Sequence, residues 1–196
     1  MTVVTLTPNL LAEACSQLSR RVKTGGCEPS LIIGIQSGGA EVARRMKQDF
    51  EEAEYCEIRI SRPDTKQKGE GLTHSILQSL PLWLCNGLRI VESRINEWRS
   101  KDKKPVRLGE IHLSDSVSSL LSELGNKATV LLVDDAIDTG ATILQARQQL
   151  QEQFPTIHIQ VAVITVTTQH PACDADFCLY HNRTLCRFPW SNDYRG

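Results

Sequence analysis

Residues 130–143 read VLLVDDAIDTGATI, and they are the part of the chain most informative about its fold. Four apolar residues run into Asp134 and Asp135, and Asp138 then precedes a Thr-Gly turn. A short apolar run bounded by turn residues is typical of a buried strand, and the residues after the turn have helical character. Ligands of open parallel sheets bind beyond the carboxyl ends of the strands. The sequence therefore predicts a ligand site at these three carboxylates.

Strands and helices alternate along the chain on both sides of this stretch. Further apolar runs predict strands at 31–35, 55–60 and 157–166, and apolar spacing and turn residues predict helices at 8–23, 38–50 and 139–154. This alternation indicates an α/β fold with a twisted, mainly parallel sheet flanked by helices.

The middle third of the chain departs from this alternation. We expect one domain over residues 1–196, with residues 71–125 forming a helical insert that is interrupted near Pro81 and Gly87. Ser114 or Asp115 is the expected cap of the last helix in the insert. The insert would serve as a hood, a lid or a dimer surface.

Charge and composition exclude several functional classes. A net charge of −1 over 196 residues argues against nucleic-acid binding and against an anionic membrane surface. The apolar runs fall short of the roughly 18 residues of a membrane span, and the N-terminal residues lack a secretory pattern. Seven scattered cysteines without a CxxC pair fit reduced thiols, so we expect a cytoplasmic protein.

The turn after the acidic pair has the features of a phosphate site. Backbone N–H groups at a helix start, together with the helix dipole, attract an anion, and Gly140 allows a close approach. Asp134 and Asp135 would repel that phosphate unless they bind neutral hydroxyls or a metal ion. A ribose 5-phosphate satisfies both demands.

The same residues resemble the phosphoribosyl-pyrophosphate signature of the type I phosphoribosyltransferases. The resemblance implies transfer of phosphoribose from phosphoribosyl pyrophosphate to a nitrogen base, with Mg²⁺ and with release of pyrophosphate. Asp134 and Asp135 would hold the ribose hydroxyls and the metal ion. The 5-phosphate would be bound by Asp138, Thr139, Gly140, Ala141 and Thr142. We also expect a homodimer.

A second segment, LIIGIQSGGAEVARRM at 31–46, resembles the pyrophosphate loop of that family. Ser37, Gly38 and Gly39 would bind pyrophosphate through backbone amides, although Ser37 stands where many members carry a cation. Arg62 and Lys66, in the loop SRPDTKQKG, would supply the missing charge. The alternatives are a plain strand–helix turn and a solvated basic loop.

Asp138 and the C-terminal residues indicate which kind of base accepts the phosphoribose. The 6-oxopurine enzymes of the family carry aspartate before Thr-Gly, so Asp138 would be the general base; the alternative is a helix cap. TLCRFPWSNDY at 184–194 resembles the end of the xanthine–guanine and hypoxanthine enzymes, which places Leu185 and Cys186 in the base pocket. His170 stands where those enzymes carry a lysine.

Other functions remain open from the sequence. The insert resembles that of phosphoribosyltransferase-like proteins from bacterial stress and tellurium-resistance gene neighbourhoods, which leaves a non-purine acceptor open. A non-catalytic regulator that binds phosphoribosyl pyrophosphate or a nucleotide is the second alternative. An enzyme that cleaves nucleotides with pyrophosphate is the third.

Overall fold

The computed structural model describes residues 1–60, 80–100, 111, 113–181 and 183–195. The predicted loop with Arg62 and Lys66, and residues 71–79, 101–110 and 112 of the predicted insert, lie outside the described residues. The strands are β1 (Thr2–Thr5), β2 (Leu31–Ile35), β3 (Glu54–Ile58), β4 (Thr129–Ile137), β5 (His158–Val166), β6 (Phe177–Tyr180) and β7 (Thr184–Arg187). The helices are α1 (Pro8–Thr24), α2 (Gly38–Lys47), α3 (Leu82–Ser100), α4 (Asp115–Leu124) and α5 (Ala141–Gln153), with a 3-10 turn at Gly125–Lys127.

The strands form two sheets in which every described pairing is parallel. The main sheet has the order β3-β2-β4-β5-β6, and β1 pairs with β7 in a separate two-stranded sheet. β4 is central and pairs with β5 from Thr129 opposite His158 to Ile137 opposite Val166. The predicted α/β fold with a mainly parallel sheet is confirmed.

The main sheet is buried on both faces, as parallel sheets require. Along β4, Val130 and Leu132 face a core formed with α4 and α5, whereas Leu131 and Val133 face a core formed with α1 and α2. All four side chains are fully buried. This two-sided burial explains why the strand reads as a continuous apolar run rather than an alternation.

The structure corrects several expectations about the elements. β4 continues through Ile137, so Asp134 and Asp135 belong to the strand instead of following it. The short strands β1, β6 and β7 were absent from the sequence-based prediction. Ser114 caps α4 by accepting a hydrogen bond from the Val117 amide, 3.4 Å away, as one of the two predicted caps.

The insert helix α3 runs without interruption through Gly87, contrary to the prediction. Glycine inside a helix costs only about 1 kcal/mol relative to alanine, which tertiary contacts readily offset. Those contacts are the buried Cys85 and a hydrogen bond from Arg187 to the Asn86 side chain, 2.6 Å long. The helix begins at Leu82, directly after Pro81. Residues 71–79 lie outside the described residues, so the interruption expected near Pro81 stays a prediction. None of the described helices has the length and apolarity of a membrane span.

Candidate active site

A cavity of about 770 Å³ opens at the carboxyl ends of the parallel strands. Its wall is formed by the residues after β2, the end of β4 with its turn, the end of β5, and β7. The helix α3 contributes a further part of the wall through Arg89, Glu92 and Ser93. The cavity therefore lies where the topology of an open α/β sheet places a ligand.

The acidic pair occupies the floor of this cavity. The half-buried Asp134 accepts a hydrogen bond at Oδ1 from the Asp135 amide, 2.9 Å away. Asp135 accepts one at Oδ2 from the indole N–H of Trp190, also at 2.9 Å. These bonds fix the orientation of both carboxylates toward the shared cavity.

Both carboxyl groups have a pKa above the usual value for aspartate. Burial raises the pKa of Asp134 well above its usual value, and the neighbouring charge of Asp135 adds to the effect. Burial also raises the pKa of Asp135, which the indole hydrogen bond of Trp190 partly offsets. Crowding of negative charge at one point suits a site that receives hydroxyl donors or a cation.

The two glycines after β2 pack directly on the acidic pair. A Cβ at Gly38 would lie 2.1 Å from Asp135 Oδ2 and 2.8 Å from the indole nitrogen of Trp190. A Cβ at Gly39 would lie 2.6 Å from both the Asp134 Cα and the Val133 carbonyl oxygen. The predicted pyrophosphate residues are thus brought against the predicted ribose residues. Ser37 lines the same cavity, and the Gln36–Ser37 peptide is cis.

Glu57 anchors the loop that carries these glycines. It accepts hydrogen bonds from the Tyr55 hydroxyl at 2.7 Å, from the Gln36 amide at 3.1 Å and from Arg44 at 2.9 Å. These bonds, with that of Tyr55 the largest, lower the pKa of Glu57 to about 2. The Gln36 backbone amide also donates to the Ile58 carbonyl oxygen at 2.9 Å. The loop is therefore tied to β3 on its outer side.

The turn from β4 into α5 combines an exposed acid with a left-handed glycine. Gly140 is the N-cap of α5 with a φ of 77°, and a Cβ there would lie 2.8 Å from the Cys173 nitrogen. The cap is Gly140, so the alternative in which Asp138 caps the helix is wrong. Asp138 instead accepts a hydrogen bond at Oδ1 from the Thr167 hydroxyl, 2.7 Å away. Thr139 and Thr142 also line the cavity.

The predicted base-pocket residues separate into two groups. Leu185 and Cys186 line the cavity from β7. His170 lies in a neighbouring depression, together with Gln169 and His181. The structure therefore brings two of the three together with the acidic residues, and places the third beside the site.

Two residues of the cavity were missed by the sequence-based interpretation. A tryptophan near the end of the chain is, from the sequence alone, expected to be a core or interface residue, but Trp190 lines the cavity and stacks on Phe188 with ring centroids 4.9 Å apart. Arg89 lies three residues before Glu92, a spacing that from the sequence alone favours a pair on the helix surface. It pairs with Asp193 instead, donating from Nε at 2.9 Å and from Nη2 as well. No local signal links Arg89 to a partner 104 positions away.

A buried ionic network joins α3 to the C-terminal segment. Asp193 also accepts a hydrogen bond from Arg187 Nε, 3.0 Å away, and both residues are nearly inaccessible to solvent. Burial would raise the pKa of Asp193, but hydrogen bonds and charges from Arg89 and Arg187 lower it to about 2. The carboxylate thus stays ionised and holds two guanidinium groups beside the cavity.

These features define the class of the protein as an open parallel α/β domain with an acid-rich cavity above a helix start. A family model described as a phosphoribosyl transferase domain matches residues 4–175. The chain therefore belongs to the phosphoribosyl transferase domain family, and it is a phosphoribosyltransferase. The type I phosphoribosyltransferase resemblance and the enzyme class are both confirmed.

Solved structures of similar proteins have the same fold. A purine phosphoribosyltransferase from Pyrococcus horikoshii is 19% identical with a TM-score of 0.60, over 97% of this chain and 95% of that one. The Helicobacter pylori xanthine-guanine-hypoxanthine phosphoribosyltransferase is 13% identical with a TM-score of 0.62, over 96% and 94%. A hypothetical protein from Neisseria gonorrhoeae with bound ppGpp is 15% identical with a TM-score of 0.60, over 96% and 89%. A search of the curated proteins found no match.

Proposed function

We propose that the protein transfers phosphoribose from phosphoribosyl pyrophosphate to a 6-oxopurine or similar purine base, with release of pyrophosphate. The observation that carries this proposal is the convergence of the acidic pair, the glycine loop and the start of α5 on one cavity. This arrangement offers hydroxyl acceptors, a phosphate site and a second anion site in the wall of one cavity.

The donor sugar is held by the end of β4 and the turn that follows. Asp134 and Asp135 accept hydrogen bonds from the ribose 2- and 3-hydroxyls, which are neutral and need no counter-charge. The 5-phosphate binds at the turn of residues 138–142, where the first amides of α5 have no acceptor within the helix and the dipole is positive. Gly140, with its φ of 77°, lets the backbone curve around the phosphate.

The leaving pyrophosphate lies against the loop after β2. Ser37, Gly38 and Gly39 bring backbone amides to it. The absence of a Cβ at Gly38 and Gly39 permits the close contact of this loop with the acidic pair. Arg59 lines the cavity beyond β3 and adds one cation. Arg62 and Lys66 remain predicted contributors to this side of the site.

The acidic pair fits a magnesium ion. Mg²⁺ is commonly held by one or two carboxylates, with its remaining positions filled by water and substrate oxygens. Among the described residues no group of three or more His, Cys, Asp or Glu side chains is placed to form a metal cluster. Asp134 and Asp135 would hold the ion, which would offset the charge of the departing pyrophosphate.

The transfer itself needs positioning and one proton acceptor. The base nitrogen attacks the anomeric carbon as the bond to pyrophosphate breaks, and the carbon passes through an oxocarbenium-like state. Asp138 accepts the proton that the base nitrogen loses. Thr167, only 5% exposed, donates to Oδ1 of Asp138 and so orients the carboxylate.

The acceptor is placed on the β7 side of the cavity. Leu185 and Cys186 supply an apolar surface there, and Asp138 lies on the adjoining wall. Two of the similar structures are described as purine and xanthine-guanine-hypoxanthine phosphoribosyltransferases, which supports a purine acceptor. A contact from His170 would require it to reach across from the neighbouring depression, and it remains a prediction.

The proposal is tested by measuring pyrophosphate release from phosphoribosyl pyrophosphate and Mg²⁺ with hypoxanthine, guanine, xanthine, adenine or uracil. We expect release with a 6-oxopurine and formation of its nucleotide, and loss of most of that activity in Asp138→Asn. Tight donor binding without turnover of any base would favour the regulator instead. A reaction with uracil alone would overturn the purine acceptor.

We also propose that the protein forms a homodimer in the cytoplasm. Leu88, Val91 and Ile95 on α3 are 46%, 54% and 42% exposed, and with Leu84 they follow the 4-3-4 spacing of a helix-pairing seam. This apolar stripe is self-complementary, so a second copy of α3 can pack against it. All seven cysteines are free thiols, which supports a reducing compartment. Sedimentation of Val91→Glu beside the wild-type protein tests the dimer, and an unchanged mass would contradict it.

A further inference from the structure

The insert helix α3 contributes a polar edge to the cavity, on the side where β7 lies. Arg89, Glu92 and Ser93 are spaced three and four residues apart, so they share one face of the helix. Arg89 donates from Nη1 to the Cys186 carbonyl oxygen, 3.2 Å away. The guanidinium therefore lies beside the apolar surface that the proposed function gives to the acceptor base.

The Arg89 side chain is fixed in place before any ligand binds. Nε and Nη2 form a two-pronged contact with the Asp193 carboxylate, and Arg187 holds the same carboxylate from the other side. A guanidinium carries five N–H donors. The bonds of Arg89 to Asp193 and to the Cys186 carbonyl oxygen use three of them. The side chain is 24% exposed. Two donors remain on a side chain that lines the cavity, and this side chain has little conformational freedom to lose on binding.

The position of Arg89 sets it apart from the other cation of the cavity. Arg59 and Arg89 are the two cationic residues among the described residues that line it. Arg59 follows β3, on the side of the pyrophosphate loop. Burial raises the pKa of the Cys186 thiol to about 12, while the charges of Asp135 and Arg89 act on it in opposite senses.

We propose that Arg89 determines the specificity for the acceptor by donating hydrogen bonds to an exocyclic carbonyl oxygen of the base. This inference rests on the proposed function and adds the residue that selects the base. Arginine has donors and no acceptor, so it pairs with a carbonyl oxygen. An exocyclic amino group of the base at the same place would bring its N–H donors against those of the Arg89 guanidinium, and neither group would find an acceptor. Oxo-bases are therefore preferred over amino-bases.

The test compares Arg89→Met with Arg94→Met, a matched control on an exposed position of the same helix outside the cavity wall. The measured quantity is the ratio of kcat/KM for hypoxanthine to that for adenine, with the Kd for phosphoribosyl pyrophosphate as a check on the donor site. We expect the ratio to fall by about 10-fold or more in Arg89→Met, since a hydrogen bond to a charged group is worth ~1.5–3 kcal/mol. Arg94→Met should leave both quantities unchanged.

A purely structural role would lower the rates with both bases equally and leave the ratio unchanged, which would overturn the inference. If Arg89→Met does not fold, Arg89→Lys is the variant to measure. Lysine keeps the ion pair with Asp193 but lacks the planar set of guanidinium donors, so the hypoxanthine-to-adenine ratio of kcat/KM should still fall severalfold. An active wild-type enzyme that prefers adenine would overturn this inference and the 6-oxopurine acceptor, and would leave phosphoribosyl transfer to a purine standing. A wild-type protein that binds phosphoribosyl pyrophosphate and transfers it to no base would overturn the proposed function, and this inference with it.

Discussion

Replacing Gly38 by alanine tests whether the contact between the glycine loop and the acidic pair matters for activity. The added Cβ would lie 2.1 Å from Asp135 Oδ2, whereas ordinary contact begins at 3.4 Å. The carboxylate must therefore move by about 1.3 Å or the loop must withdraw by that much. The Cβ would also lie 2.8 Å from the indole nitrogen of Trp190, so the hydrogen bond that holds Asp135 is disturbed as well.

A misplacement of this size costs on the order of 100-fold in rate. We expect Gly38→Ala to lower kcat/KM for phosphoribosyl pyrophosphate by roughly that factor. Stability should change little, because the contact is with a side chain at the open end of the sheet. The assay is pyrophosphate release at varied donor concentration, with the melting temperature recorded for each variant.

Gly87 provides the matched control, since a Cβ there would have nothing within 4 Å. Gly87→Ala should keep full activity and stabilise α3 by about 1 kcal/mol, because alanine is the better helix former. If Gly38→Ala kept the kinetic constants of the wild-type protein, the close contact between the loop and Asp135 would have no role in donor binding. The same conclusion would follow if Gly87→Ala lost as much activity.

Three further predictions concern the acidic groups and the turn. Thr167→Val should lower kcat about 10-fold with the KM for phosphoribosyl pyrophosphate unchanged, because Asp138 loses its orienting hydrogen-bond donor, which is worth ~1 kcal/mol or more. Thr167→Ser should keep the wild-type kcat. Equal losses of kcat in both variants would refute the orienting role. Asp135→Asn should stabilise the ligand-free protein by about 1 kcal/mol at pH 8, because a folded-state pKa raised above the unfolded value makes the ionised form unfavourable. That gain in stability should shrink as the pH falls through the folded-state pKa of Asp135 and the native carboxyl takes up its proton. Chemical denaturation at several pH values measures the difference, and a gain that grows as the pH falls would contradict the prediction. Gly140→Ala should destabilise the protein by ~1–3 kcal/mol, a fall in melting temperature of several degrees, since φ is 77° and the Cβ meets the Cys173 nitrogen at 2.8 Å; an unchanged melting temperature would contradict it.

The centre of the fold could be predicted from the sequence because its signals are local. β4 is buried on both faces and therefore apolar throughout Val130–Val133. The left-handed turn into α5 requires a residue such as Gly140, and the helix start follows at once. The acids, the turn and the helix lie within one continuous stretch, so their proximity needs no knowledge of tertiary structure.

The rest of the fold depends on contacts that are distant along the chain. β1 has four residues, and its pairing partner β7 begins at Thr184, so neither strand has a local signal strong enough to identify it. Gly87 lowers helix propensity, but packing of Cys85 and the ionic contacts of the neighbouring residues keep α3 intact. Local propensity is a weak guide where tertiary contacts of this kind exist.

The candidate site shows the same division. Asp134, Asp135 and the turn were predicted, and the structure places them on one cavity with Gly38. The interpretation of Arg89 as a partner of Glu92 followed the i,i+3 rule for helix surfaces, but a buried carboxylate offers the stronger partner. His170 was assigned from its place in the sequence, and the chain carries it into a neighbouring depression.

The central claim is that the acidic pair holds the ribose of the donor. Calorimetric titration of phosphoribosyl pyrophosphate with Mg²⁺ into the wild-type protein and the double variant Asp134→Asn/Asp135→Asn measures this directly. The account predicts that the double variant folds and that its Kd is higher by at least about 100-fold, because two charge-assisted contacts of ~1.5–3 kcal/mol each are removed. An equal Kd for both proteins would contradict it.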